Sequence, residues 1–415
     1  MDFALQPLTQ PGKRFATLAE LHATDFATRA AEHDRDSSFP FENIAAMQQS
    51  GAMAACVPEE LGGLGVRSVH DYMLGMSRLG RGDGSTAIAA NMHIFRPWRM
   101  TRLWEAANAA GDVAHADGLE RRLRRIGAGQ LLMCACVSEA GTDILHPQLD
   151  ATKTDGGWLL NGRKIFATMS PAAQLLDISF RFRDTQGGER LAMASITHDS
   201  PGLEIKNNWD ALGMRGSGSH DVVFANCFIP DAALLDLGVW GEWSESYLTG
   251  NLILAMGLAG VFLGIAEASR DLTVEAIKTR RKGPSGRALA ERYPMQHLIA
   301  EIEIDLAASR AMLGRTAMAA DAFFERHPAE GIPLHELHEL MKDLQCAKWF
   351  VNRKAIDIVD RALTASGGAG YLSKHPLSRL YRDVRAGPFM QPFSPNEAFE
   401  YIGKVTLGLD PKLDI

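Results

Sequence analysis

The sequence predicts an α+β fold with three parts: an N-terminal helical domain, a central antiparallel domain resembling a β-barrel, and a C-terminal four-helix bundle. Apolar residues recur at helical spacing in the first part, short alternating runs fill the middle, and long apolar helical patterns return at the end. A chain of 415 residues is also too long for one small core. We therefore place the domains at residues 1–129, 130–240 and 241–415.

The N-terminal part is predicted to be all helical. From about residue 14 to residue 125 the apolar positions follow the helical period. Ser50 and Gly51 indicate a helix end, because glycine readily adopts the left-handed conformation that closes a helix. Either Asp83 or Ser85 is expected to cap the next long helix, since both side chains accept backbone hydrogen bonds.

The composition changes between Gln130 and about Pro230. Runs of β-branched or alternating residues are separated there by turns rich in Gly, Asp and Ser, which is typical of an antiparallel sheet or barrel. Helical patterns return from Leu248 and are long enough for a four-helix bundle. The predicted helices span 248–280, 293–327, 333–364, 375–385 and 395–407.

The charge of the chain argues against a nucleic-acid partner. The formal net charge is −7, whereas phosphate binding needs clustered positive charge. The one basic run, from Arg121 to Arg125, ends a helical pattern. We interpret it as a solvated helix end rather than a site for a polyanion.

The cysteines and the N-terminus indicate a cytoplasmic protein without a disulfide framework. Five scattered cysteines do not form a regular spacing, and Cys134 and Cys136 are expected to be buried thiols on one face of a strand rather than metal ligands. The N-terminal residues lack the pattern of a signal peptide. The longest apolar stretch, 252–266, is shorter than a membrane span. We therefore expect no membrane and no metal.

Six motifs, in the same order along nearly the whole chain, resemble the acyl-CoA dehydrogenase superfamily. This resemblance implies the acyl-CoA dehydrogenase fold and a flavin-dependent oxidoreductase. The motifs are VPEELGGLG (57–65), CVSEAGTD (136–143), LNGRKIFAT (160–168), WDALGMRGSGSHDVVF (209–224), SGGAGYL (366–372) and LYRDVR (380–385).

The resemblance implies three residues at the flavin ring. A flavin needs hydrogen-bond donors at its N1, O2 and N5 edge, because reduction places negative charge there. Ser138 falls on the family's threonine at the pyrimidine edge, Thr168 on the threonine near N5 and O4, and Phe166 on a tryptophan that packs on the ring. The alternative is that Ser138 and Thr168 are ordinary strand residues.

The resemblance also implies a site for the flavin pyrophosphate, often completed by a neighbouring subunit. Arg281 falls nearest the family's arginine, with Arg280 and Lys282 as register alternatives, and Ser285 replaces a phenylalanine at the adenine. Glycines allow close approach of a phosphate to the backbone. We therefore expect FAD, with FMN as the alternative, in a homodimer or homotetramer. The glycines concerned are Gly367, Gly368 and Gly370.

The usual catalytic base is missing from this sequence. The position in register with the family's glutamate is Gln391, and a carboxamide cannot accept a proton from carbon at neutral pH. Some family members carry the glutamate instead on the first C-terminal helix, where this chain has Leu254. Glu397 is an outside candidate for a replacement, although a carboxylate there is expected mainly to favour a helix N-terminus.

A helix near residue 90 carries polar residues where the family's acyl pocket would be apolar. Asn91 and His93 are candidates to contact the substrate, and Arg96 and Arg99 are candidates to bind an anionic group on it. The pattern is similar to flavin monooxygenases resembling dibenzothiophene monooxygenase and amino-sugar N-hydroxylases, which use a histidine in this helix and lack the glutamate. The alternatives are a histidine satisfied within the core and arginines that simply end the helix.

These residues favour a monooxygenase-type reaction in which reduced flavin reacts with O2. The substrate is expected to be a small molecule or a CoA thioester, with a separate flavin reductase as a candidate partner. His93, Gln391 and Glu397 are the candidate catalytic residues. Two alternatives stay open: an acyl-CoA dehydrogenase with a relocated base, and a flavin-binding scaffold without activity.

Overall fold

The computed structural model describes residues 3–284, 286–328 and 331–413, and its N-terminal part is helical. Asp83 caps the longest of these helices by accepting from the backbone N–H groups of Ser85 (3.3 Å) and Thr86 (3.1 Å), and Gly51 closes an earlier helix at φ 81°. Both predicted helix signals are confirmed. The helices are α1 (Gln10–Phe26), α2 (Ala30–Asp36), α3 (Phe41–Ser50), α4 (Val69–Gly82), α5 (Gly84–Ala110) and α6 (Val113–Gly127).

Eight strands form one sheet in the middle of the described chain. The sheet is mostly antiparallel, in the order β6-β7-β3-β2-β4-β5-β8, but β1 and β2 each pair with β4 in parallel. Cys134 and Cys136 on β1 are both fully buried, as predicted from their spacing. The strands are β1 (Met133–Cys136), β2 (Asp150–Thr154), β3 (Gly157–Ala167), β4 (Leu175–Arg183), β5 (Glu189–Thr197), β6 (Leu203–Ile205), β7 (His220–Pro230) and β8 (Leu234–Val239).

The C-terminal part is helical again, with bounds within three residues of each prediction. The first of these helices, α7, is long and apolar enough to cross a membrane by composition, but 89% of its most apolar window is buried inside the protein, as in a core helix. The helices are α7 (Glu245–Thr279), α8 (Tyr293–Arg326), α9 (Leu334–Ser366), α10 (Pro376–Val384) and α11 (Pro395–Thr406). The proposed domain borders fall in the α6–β1 and β8–α7 connections.

Contacts between the three parts fix one end of α5 against the sheet. The Ser85 hydroxyl lies 3.3 Å from the Gly216 N–H, and the Met214 N–H donates to the Asp383 carboxylate of α10 at 2.6 Å. Burial raises the pKa of Asp383 to about 6, opposed by the nearby Arg379 guanidinium. The segment between β6 and β7 is therefore held where helices from both other parts meet it.

Candidate active site

A large, mostly apolar cavity of about 1380 Å³ lies between α5, the sheet and the C-terminal helices. It extends along α5 from Ile88 to Leu103. At 1.5 Å of rise per residue, that distance is about 22 Å. A cavity of this length can hold a flavin ring together with an extended substrate.

Gln391 and Ser138 meet at the wall of this cavity. The Gln391 amide Nε2 donates to the Ser138 hydroxyl oxygen at 3.1 Å, and both residues line the cavity. Ser138 follows β1, whereas Gln391 belongs to the segment Gly387–Phe393 between α10 and α11. The structure thus brings together the expected flavin-edge hydroxyl and the residue that replaces the family's base.

A row of hydroxyl groups lies where the β3–β7 pair opens. Thr168 Oγ1 is 2.8 Å from Ser219 Oγ, which in turn is 2.7 Å from Ser217 Oγ. Thr168 and Ser219 line the cavity, and hydroxyl groups can both donate to and accept from a polar ring edge. Ser219 had no sequence signal beyond its place in the fourth motif.

Phe166 presents an aromatic side chain to the cavity beside these hydroxyls. Its backbone has φ 55°, which is rare for an aromatic residue, and the residue is 56% exposed. Its ring meets Trp209 edge to face at 5.9 Å, and both line the cavity. An exposed ring beside a hydroxyl row fits the planar, polar-edged ring of a flavin.

His93 and Asn91 lie in the core behind the cavity wall, and neither is among the described residues that line the cavity. His93 Nδ1 accepts from the Met133 N–H at 3.1 Å, so the proton of the neutral ring is on Nε2. Burial, aided by the Arg96 charge, lowers the pKa of His93 to about 3. Asn91 accepts from the Tyr72 hydroxyl and donates to the Leu254 carbonyl at 3.1 Å. Their predicted substrate contacts have no geometric support.

Arg96 and Arg99 do line the cavity, but each has a partner in the protein. Arg96 forms a buried ion pair with Asp177, whose other oxygen accepts from the Ser195 hydroxyl. Burial lowers the pKa of Arg96 to about 10. Arg99 donates to the Ser246 hydroxyl at the start of α7. Both arginines therefore tie α5 to neighbouring elements at the cavity wall.

Two carboxylates, Asp177 and Asp236, line the cavity among the described residues. Asp177 is paired with Arg96, and Asp236 accepts from Arg190 at 2.7 Å. Asp177 pairs across strands with Ala135, three residues before Ser138, which is about 10 Å at the rise of a strand. No carboxylate of the described cavity wall therefore lies beside the Gln391–Ser138 contact.

The other two positions considered for a replacement base do not supply one. Leu254 of α7 lines the cavity at the position where some family members have a glutamate. Glu397 lies in the first turn of α11, where its carboxylate accepts from the Ser394 N–H at 2.6 Å in a capping box. This is the helix-start role that negative charge favours.

Arg281 and the glycine segment lie away from the cavity of their own chain. Arg281 is exposed and donates to the Gly286 carbonyl at 2.7 Å. Arg280 donates to the Ser366 carbonyl at 2.8 Å, directly before the glycine segment. Gly367 and Gly368 have open space around them, whereas a side chain at Gly370 would meet the Ser366 hydroxyl. Ser285 lies outside the described residues.

Three arginines at the far end of the cavity were not predicted to belong to a site. Arg121, Arg122 and Arg125 are exposed, line the cavity and form no ion pair with another described residue. Arg124, by contrast, is held by Glu120 at 2.8 Å. The expected helix end is present, but three of its cations face the cavity. The sequence did contain one sign that these arginines are free to bind a ligand: Arg122 and Arg125 have no acidic residue one helical turn away.

The packing of α6 places these arginines far from the hydroxyl row. Their helix packs Leu123 and Ile126 into one cluster with Met100 and Trp104. Met100 is 15 residues along α5 from Ser85, which contacts the segment preceding Ser219. The separation along the helix is about 22 Å. The cavity therefore has a cationic end on α6 and a second end at Gln391, where Arg382 and Arg385 also line the wall.

Helical parts precede and follow a mostly antiparallel sheet in the chain, and a cavity lined by aromatic and hydroxyl side chains lies where the three parts meet. This arrangement suits a flavin enzyme. Family models for the acyl-CoA dehydrogenase N-terminal, middle and C-terminal domains match residues 15–97, 134–227 and 256–393. The chain belongs to the acyl-CoA dehydrogenase family.

Similar proteins narrow the class of flavin enzyme. The amino sugar nitrososynthase RubN8 of Streptomyces rubradiris is 35% identical over 97% of this chain and 92% of the relative, and the L-evernosamine nitrososynthase of a Micromonospora species is 35% identical with the same coverage. The solved structure of KijD3 with FMN and a dTDP-linked amino sugar has a TM-score of 0.88 and 35% identity, covering 98% of this chain and 96% of that one. This chain is a flavin-dependent oxidoreductase of the monooxygenase type.

Proposed function

We propose that the chain oxidises the nitrogen of an amine substrate, and that this substrate is an amino sugar attached to a nucleoside diphosphate. The observation that carries the proposal is the neutral Gln391–Ser138 contact, with both cavity carboxylates engaged by arginines elsewhere. Removing a proton from carbon needs a free base at that place, whereas an uncharged amine already has the lone pair that accepts oxygen. The nitrososynthase relatives support the same reaction class.

The chemistry balances without a carbon base. A bound reduced flavin would supply the two electrons by which O2 gives one oxygen atom to the nitrogen, forming a hydroxylamine, and the other to water. A separate NAD(P)H-dependent reductase would provide the reduced flavin. Around it, Thr168 and Ser219 would bind the polar ring edge, Phe166 would pack on the ring, and Gln391 would orient the amine.

The cationic end supports the nucleotide part of the proposal. Arg121, Arg122 and Arg125 line the cavity and offer guanidinium groups to the anionic part of such a substrate. The solved relative with a dTDP-linked amino sugar supports this substrate class.

We also propose a homodimer or homotetramer in which the phosphate end of the flavin approaches a neighbouring subunit. Support comes from Arg281 and the glycine segment, which lie outside the cavity of their own chain. FAD would use such a pyrophosphate site, whereas FMN would end before it. Light scattering on the purified protein and the mass of the released cofactor test the two parts separately.

The test of function is an oxygen-dependence experiment on the holoprotein. A dTDP-linked amino sugar, supplied with NADPH, flavin and a flavin reductase, should give a product heavier by one oxygen atom, with ¹⁸O incorporated from ¹⁸O2. Bleaching of the oxidised flavin by an acyl-CoA in the absence of oxygen would instead show desaturation. Bound flavin that neither assay turns over would indicate a scaffold without activity.

A further inference from the structure

The segment Gly387–Phe393, which carries Gln391, is held from behind by two side chains of α9. Asn352 Nδ2 donates to the Gly387 carbonyl at 2.8 Å. Lys348 Nζ donates to the Phe393 carbonyl at 2.7 Å and also to the Met390 carbonyl. The two donors therefore bind three backbone carbonyls around Gln391.

The position of these donors is set by α9 itself. Residues four apart lie on one face of a helix, so Lys348 and Asn352 reach the same segment from adjacent turns. Both are buried, with 4% and 1% exposure. No carboxylate of a described residue lies within ion-pair distance of Lys348, and Glu397 acts on it only at longer range. Burial lowers the pKa of Lys348 to about 7, and the hydrogen bonds to two carbonyls offset part of the cost of burying its amino group.

The remaining contacts of the segment leave little room for movement. A Cβ on Gly387 would come within 2.9 Å of Asn352 Cγ and 3.1 Å of Phe262 Cγ. Phe393 is 2% exposed and stacks on Tyr401 at 4.5 Å. The segment is thus packed at both ends, while Phe389, Met390 and Gln391 between them line the cavity.

We propose that Lys348 and Asn352 are positioning residues that fix Gln391 over the reaction site. The expected loss of turnover rests on the proposed function, whereas the expected loosening of the segment does not. Neither side chain lines the cavity, so both act through the backbone of the segment. Displacement of a positioned group by about 1 Å costs on the order of 100-fold in rate.

A double-mutant cycle tests whether Lys348 acts through Gln391. Lys348→Met should lower kcat by about 10- to 100-fold with KM changed less than about 3-fold, because the cationic end is untouched. In the Gln391→Ala background the same substitution should lower kcat less than about 3-fold. Equal losses in both backgrounds would overturn the proposal. Lys342→Met, on the same helix and paired with Glu339 at the surface, is the matched control.

Hydrogen exchange gives a readout that needs no turnover. In the flavin-loaded protein, Lys348→Met should speed exchange in a peptide covering 387–394 at least about 10-fold, while a peptide from α8 is unchanged. Asn352→Ser, which loses only the Gly387 contact, should act more weakly and serves if the lysine variant does not fold. Unchanged exchange in both variants would refute the positioning role. If exchange is faster in the variant but the unmodified protein fails the oxygenation assay, the proposed function alone is refuted.

Discussion

At the Gln391 end the cavity presents an amide and hydroxyl groups, whereas at the α6 end it presents three exposed arginines. The two ends are separated by about 22 Å along α5. The Gln391 end lies beside the proposed flavin position; Arg382 and Arg385 line it, but no carboxylate of the described cavity wall contacts Gln391. Arg121, Arg122 and Arg125 at the α6 end form no ion pair with a described residue.

This difference indicates a separation of binding from chemistry. Charge that attracts an anionic substrate is most useful far from the reacting atoms, where it adds affinity without changing the protonation of the amine. A carboxylate beside the reacting nitrogen would instead favour the ammonium form, which has no lone pair. The substrate can therefore be held by its phosphates while its amine lies away from the carboxylates of the described cavity wall.

The largest expected effect comes from introducing a negative charge at the Gln391 end. Gln391→Glu should lower amine oxygenation by about 100-fold, because a carboxylate that raises the pKa of a largely protonated amine by about two lowers its uncharged fraction about 100-fold. The same variant should gain flavin bleaching by an acyl-CoA without oxygen. Stopped-flow absorbance measures the bleaching, and oxygen uptake measures the oxygenation.

Gln391→Met is the matched control for that experiment, since it removes the amide without adding charge. It should lower oxygenation less than the glutamate variant and give no acyl-CoA bleaching. Robust acyl-CoA bleaching by the unmodified protein would contradict the missing-base argument.

Removing charge at the cationic end should raise KM and leave kcat nearly unchanged. Arg122→Gln combined with Arg125→Gln should raise KM for a nucleoside-diphosphate sugar by about 10- to 100-fold, since solvent screening of these exposed side chains reduces their joint contribution to about 1.5–3 kcal/mol. The value of kcat should change little, because these side chains lie far from the reacting atoms. Initial rates at two salt concentrations measure both quantities, and the salt dependence of KM should weaken in the variant.

Arg124→Gln controls for loss of charge on the same helix, because Arg124 is paired with Glu120. It should leave KM within about 2-fold, the effect of an exposed ion pair being below about 1 kcal/mol. A kcat loss larger than the KM change in the double variant would place the arginines close to the chemistry and contradict the separation.

The sequence predicted the fold well because its signals are local. Helical periodicity, the Asp83 cap and the Gly51 helix end each depend on neighbouring residues, and all three are confirmed. The motifs identified Ser138, Phe166 and Thr168, and the register of the family's glutamate identified Gln391; all four line one cavity.

Sequence reasoning misplaced the residues whose position depends on which face of a helix is turned towards the cavity. His93 and Asn91 share a helix with cavity residues, but a helix has several faces, and the face that carries them is turned towards β1 and α7. Arg121, Arg122 and Arg125 appeared to be a solvated helix end because the return of α6 along α5 cannot be derived from its own residues. Tertiary packing alone decides both outcomes.

The smallest expected effect concerns His93, which belongs to neither end of the cavity. His93→Asn retains an acceptor for the Met133 N–H, and His93 does not line the cavity, so kcat should stay within about 3-fold. The pH profile of kcat should be unchanged as well. A 100-fold loss of turnover in a stably folded variant would instead make His93 part of the reaction.

Stability measurements also test whether His93 is a buried core residue with a lowered pKa. The folded pKa of His93 is about 3 and the unfolded value is 6.5, so the unfolded chain binds the extra proton between these values. The folding stability therefore rises with pH across that window and reaches its full value above 6.5. At pH 5 the protonation of the unfolded chain lowers the free energy of unfolding by about 2 kcal/mol. Urea unfolding at pH 5 and pH 7.5 should show that His93→Asn loses about 2 kcal/mol less than the parent on acidification. If His93 titrated normally in the folded protein, the parent and the variant would have the same dependence on pH.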